Sequence, residues 1–192
     1  MDFYILGGTG SAGILVEEFT RHDDSSASGR HNAVWFAHSS SSWSSSAGFS
    51  RAVRTDPDLR ATVIPATRAG AAHAFARLGG GALPPDPEIR THFLDYEPFP
   101  SAAPLRLTPG SDQKRLYRVL FANGPSSPFE PSGGDGHLHW QLHRVANGAA
   151  WALDVTVITP LADAGFAGSL DRLIAGARLR HGLIPVTIDR FF

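Results

Sequence analysis

The sequence contains no cysteine. Disulfides, thiolate catalysis, zinc–thiolate sites and iron–sulfur clusters are therefore excluded. It has one methionine, Met1, and one lysine, Lys114. Any mechanism that needs a Schiff-base or phosphate-binding lysine has a single candidate. The formal net charge is only -1, too little for a footprint that fits nucleic acid or an anionic membrane surface. No apolar run approaches the roughly 20 residues of a membrane-spanning helix. Asp2 stands where a secretory signal would carry basic residues, so a cytoplasmic location is expected.

What remains is an ordinary globular composition, with 42% hydrophobic residues in 192. That length suits one domain or one domain with an elaboration. The basic residues are almost all arginine, and alanine, glycine and proline are common. Their codons are GC-rich, which points to a GC-rich bacterial gene; specialised metabolism is the expected setting of the function read below.

The chain opens with a short apolar run, Phe3–Leu6, that leads directly into Gly7-Gly8-Thr9-Gly10-Ser11-Ala12-Gly13. Gly8, Gly10 and Gly13 fit G-x-G-x-x-G, and Gly7, Gly10 and Gly13 fit G-x-x-G-x-x-G. Ile14, Leu15 and Phe19 then fall on one side of a helix over Ser11–Arg21. Strand, glycine turn and helix start together make a phosphate cradle. The free N–H groups and positive dipole end of the helix hold the anion, and absent side chains let the backbone approach it. The alternative is a tight turn that binds nothing.

Further strands are expected at Asn32–Ala37 and Ala61–Ile64, and an alanine-rich helix from Thr67 to Leu78. A short helix between 46 and 54 is a further option. This alternation favours an α/β sheet with parallel N-terminal strands. Breaker clusters lie at Gly79–Pro87 and Pro98–Gly110, with a candidate strand at Glu88–Tyr96 between them. Leu116–Ala122 is another strand. His137–Val145 and Ala150–Thr159 flank Asn147-Gly148, the strongest local hairpin signal because both turn positions need positive φ. A two-residue loop pairs Leu142 with Leu153, Trp140 with Val155, and Leu138 with Val157 on a core face. It pairs Gln141 with Asp154 and His139 with Thr156 on a polar face. A helix over Gly165–Arg180 and a last strand over Leu183–Asp189 complete the chain. The expected fold is a single α/β domain with a mixed sheet. A βαβ-type half over 1–80 precedes a β-rich half over 88–192, which carries the antiparallel hairpin.

Two resemblances rest on these residues. The G-x-x-G-x-x-G turn resembles that of atypical short-chain dehydrogenases, which implies a nicotinamide cofactor, NAD or NADP. The family's Tyr-x-x-x-Lys is absent, since Gly110 lies four residues before Lys114. The ribose-binding acid expected after the second strand is also missing. A second resemblance covers more of the N-terminal part. Thr9-Gly10-Ser11-Ala12, the serine loop His38–Trp43 and Pro65-Ala66-Thr67 are similar to the three loops of flavin-binding proteins related to peptidyl-cysteine decarboxylases and flavin prenyltransferases. That resemblance implies FMN held by Gly8, Thr9, Gly10, Ser11, Gly13, Ser39, Ser40 and Thr67. The asparagine of the third loop and the later P-x-M-N signature are absent.

On the hairpin's polar face, His139 and Asp154 are the candidate general acid–base pair. Alternating His137, His139 and His143 also suit a metal, but no third ligand set converges in the sequence and no metal is expected. The function expected first is a small-molecule tailoring enzyme using a flavin or nicotinamide. The alternatives are a cofactor-independent isomerase or cyclase with a hydrophobic substrate in a pocket under the hairpin, and a non-catalytic subunit of a biosynthetic partner protein. A homo-oligomer is also compatible with the sequence.

Overall fold

The structure, a computed structural model, describes residues 1–8, 12–38, 42–100, 114–130, 132–134, 138–145, 150–158 and 163–191. The chain divides into two compact units. One comprises Met1–Thr20 and Gly29–Phe99, the other Arg21–Ser28 and Pro100–Phe192. The division near residue 99 falls at the second breaker cluster, not the first.

The first unit contains a five-stranded sheet of order β4-β1-β2-β3-β5. Its strands are β1 (Asp2–Leu6), β2 (Gly13–Arg21), β3 (Ala27–Phe36), β4 (Val63–Ala66) and β5 (Tyr96–Pro98). Every pairing is antiparallel, which corrects the expected mixed sheet with parallel N-terminal strands. The decisive segment is the one expected to be the first helix. It is β2, which pairs back onto β1 from Asp2↔Glu17 to Leu6↔Gly13. Gly13, Ile14, Leu15, Val16 and Glu17 are all buried. A strand covered on both faces needs a continuous apolar run, and such a run carries no period that separates it from a buried helix.

The faces of this sheet follow from the pleat. Phe3, Ile14, Val16, Ala33 and Trp35 pack with Ala71 and Phe75 of α3 (Arg68–Arg77) and Ile89 of α4 (Asp86–Arg90). Glu17 points the other way and bonds Ser50 and Arg54 of α1 (Ala47–Thr55). The short α2 (Pro57–Ala61), with Pro57 in its first turn and Asp56 as N-cap, leads into β4. The strand expected at Glu88–Tyr96 is instead α4 followed by a turn into β5. Pro85 precedes that helix and Pro87 stands in its first turn, where proline is tolerated because the first N–H groups have no helical partner.

The second unit follows the expected order closely. Its sheet has the order β10-β6-β9-β8-β7, again antiparallel throughout. The strands are β6 (Lys114–Phe121), β7 (Ser132–Gly134), β8 (Leu138–Val145), β9 (Ala150–Ile158) and β10 (Pro185–Arg190). The hairpin register agrees with expectation at all five pairs, while its turn residues, Asn147 and Gly148 among them, lie outside the described residues. Helix α5 (Asp163–His181) covers one face, where Phe166 meets Tyr117 at 4.7 Å and Leu170, Ile174 and Ala177 are buried. The turn Arg21–Ser28 belongs to this unit. Tyr117 Oη donates to the Asp24 carbonyl at 2.7 Å, and Arg21 Nη2 meets Asp171 Oδ1 at 2.5 Å.

Candidate functional site

The two regions singled out by sequence have different standing in the structure. At the N-terminal loop, Thr9, Gly10 and Ser11 lie outside the described residues, as do Ser39 and Ser40 of the serine loop. Gly8 is described and has a φ of 137°, a backbone region that suits glycine. Gly13 is required for another reason. A Cβ there would run into the Trp35 carbonyl oxygen and sit 3.2 Å from the Phe36 Cα. It lets two central strands approach closely, which explains its identity without a ligand. The loop opens into a strand, so no helix start stands behind it. The helix dipole that motivated a phosphate cradle is not supplied by Gly13–Arg21, which is strand. Thr67 is the N-cap of α3, its hydroxyl accepting from Gly70 N at 3.1 Å.

The hairpin face is open and polar. In an antiparallel sheet, residues directly opposite one another share a face. One row therefore holds Leu116, Thr156 and His139, and the next holds Arg118, Asp154, Gln141 and Ser132. Above the sheet lies an open groove of about 510 Å³, lined by Leu116, Ser132, His139, Gln141, Asp154 and Thr156, with Gly133 and Trp140 at its edge strands.

Asp154 is the anchored group of this groove. Arg118 grips it in a two-pronged pair, Nε to Oδ1 at 2.7 Å and Nη2 to Oδ2 at 2.8 Å. That hydrogen bonding raises the Arg118 pKa above its usual value. The Phe191 ring packs under the guanidinium, 4.9 Å from ring centroid to Cζ. Sequence reasoning paired Asp154 with His139, but the imidazole nearest it is that of His143, Nε2 lying 3.6 Å from Oδ2. His143 Nδ1 is buried with no hydrogen-bond partner among the described residues. His143 is not among the residues that line the groove. His139 is exposed and lines it. It is a diagonal neighbour of Asp154, about 7–8 Å away in standard sheet geometry. His137 lies outside the described residues. Among those described, no three His, Asp or Glu side chains cluster as metal ligands would.

The first unit contains a charged cluster that sequence reasoning missed. Glu17 is fully buried and receives Arg54 Nη2 on Oε2 at 2.6 Å, and Arg54 Nη1 at 3.0 Å and Ser50 Oγ at 2.5 Å on Oε1. Burial by itself would raise the Glu17 pKa, but Arg54 and Arg30 outweigh it and hold the carboxyl below its ordinary value. Arg30 is 1% exposed; its Nη2 reaches Glu97 Oε2 at 2.5 Å, and its guanidinium lies against Phe19 and Phe99. The available signal was Glu17 itself, an acid directly after Ile14-Leu15-Val16. The chemistry of the cluster is that of a buried ion-pair network.

No family model matches the chain, and no curated protein or solved structure matches it. Among the described residues no helix is long and apolar enough to cross a membrane.

Proposed function

We propose that this chain is a cofactor-independent enzyme that moves a proton on a small molecule bound over the hairpin, in an isomerisation or cyclisation. The observation that supports this reading is the groove, where one open imidazole, His139, stands among polar groups already fixed by the sheet. An isomerisation shifts a bond with no net oxidation. A single imidazole that takes a proton and returns it supplies that chemistry, and histidine does so near neutral pH. Asp154, kept in place by Arg118, would accept a hydrogen bond from the substrate. Gln141 and Thr156, on either side, would orient the substrate. Five of the eight described lining residues carry polar side chains, with Leu116 and Trp140 beside them, so the substrate is assigned as polar with an apolar face, in place of the hydrophobic one first expected.

The competing flavin or nicotinamide reading retains its loop residues but has lost the helix that gave them a physical purpose. A thermal-shift screen separates the two. Small polar molecules should raise the melting temperature, perturb backbone amides of β8 and β9, and lose both effects in His139→Gln. A rise with FMN, FAD, NAD or NADP, or an absorption band near 450 nm in the purified protein, would instead favour the cofactor reading. Stoichiometric co-purification with another protein, without any small-molecule response, would favour the subunit reading.

A further inference from the structure

We infer that the groove takes a neutral, multiply hydroxylated molecule of about monosaccharide size, a sugar or cyclitol. The inference rests on the proposed use of this groove and names its ligand class. The argument begins with charge. Among the described residues no lysine or arginine lines the groove, and Arg118, in the row of Asp154, is committed to that carboxylate through two short hydrogen bonds. Beyond it on the same face stands Asp189, opposite Arg118 in the β10–β6 register and accepting from Thr187 Oγ1 at 2.8 Å. Lys114 shares the face but lies one row past Leu116, opposite Ile158, and does not line the groove. An anionic or cationic ligand would therefore find its counter-charge already taken. It would lose hydration without recovering it, or would have to break the Arg118–Asp154 pair.

A neutral hydroxyl meets no such obstacle. The Gln141 amide both donates and accepts, the Thr156 and Ser132 hydroxyls do the same, and each Asp154 oxygen keeps a lone pair beyond its arginine bond. Neighbouring strands lie about 4.8 Å apart and alternate residues on one strand about 7 Å apart. Groups at that spacing engage several hydroxyls of one ring together. Leu116 and Trp140 supply the apolar part of the lining, enough for the C–H face of such a ring.

The test is an amide NMR titration of the full chain with five probes of similar size: glucose, myo-inositol, gluconate, glucosamine and cyclohexanol. Glucose or myo-inositol should shift the amides of Gln141, Thr156 and Leu116. Gluconate, glucosamine and cyclohexanol should bind at least about tenfold more weakly. Gln141→Ala should abolish the polyol shifts while its spectrum stays dispersed, and Lys114→Gln should leave them unchanged. Tighter binding of gluconate, glucosamine or cyclohexanol at these amides overturns the neutral-polyol assignment and leaves the groove standing as the site. Failure of all five probes to move the groove amides overturns both. Polyol binding that leaves the His139 ring resonances unmoved keeps the ligand class and removes the proton-transfer role.

Discussion

Replacing Arg54 with alanine isolates the energetics of the first unit. The substitution removes two bonds donated to Glu17 and two donated to Ser50, one to its carbonyl and one to its hydroxyl. Glu17 is then left fully buried with one hydroxyl bond from Ser50 and with Arg30 Nε at 3.6 Å. Breaking one side of a buried ion pair costs about 3–5 kcal/mol, because the remaining charge has neither water nor partner. Arg30 still attracts Glu17, so the lower end, about 3 kcal/mol, is expected. In a unit of this size each kcal/mol moves the melting temperature by roughly 4–8 °C, so the variant should melt at least about 12 °C lower. Replacing both Glu17 and Arg54 by methionine should cost far less, since no lone charge remains. Trp35 and Trp43 report on the first unit, but Trp140 and Trp151 report on the second. Urea unfolding is therefore best followed by hydrogen exchange of peptides from β2 and α1. The pH dependence provides a second handle. The folded pKa of Glu17 lies below its unfolded value of 4.5. Its stabilisation is present above 4.5 and is lost as pH falls through the folded value. The penalty for Arg54→Ala should shrink along the same descent. A penalty under about 1 kcal/mol at neutral pH, or one unchanged by acid, refutes the reasoning.

Two further substitutions separate structural roles from ligand roles at the N-terminal half. Gly13→Ala should destabilise by about 1–3 kcal/mol in urea, because the added methyl meets the Trp35 carbonyl between two central strands; an unchanged midpoint would mean the strands are free to part. Thr67→Ala should lose about 1 kcal/mol with the helix cap, measured in the same way. If Thr67 served a flavin phosphate, the loss would instead appear only when FMN is present.

The second half was legible because its determinants are local. Asn147-Gly148 predicts a two-residue loop, and such a loop implies the register found between β8 and β9. The first half was misread because its determinants are not local. Gly13 precedes Ile14-Leu15-Val16 equally well as a helix start and as the entry to a buried strand. What decides is the covering of both faces, by α3 on one side and α1 on the other, and the residues that do it lie more than thirty positions on. Glu17 carried the one local hint. In a surface helix, Glu17 and Glu18 would both face water. In β2 they must point to opposite faces, and Glu17 must then find a buried cation while Glu18 meets Arg90 at the surface. The candidate site divides along the same line. His139 and Asp154 share a face, as the hairpin alone requires. That Asp154 is held by Arg118 depends on β6 lying beside β9, and that neighbour relation is set by the strand order β10-β6-β9-β8-β7. The alternation within β6 puts Arg118 on the polar face but does not name the strand it faces. Function on an open sheet face is therefore readable from sequence one hairpin at a time, and the ion pairs that tune it become visible only when the strand order is known.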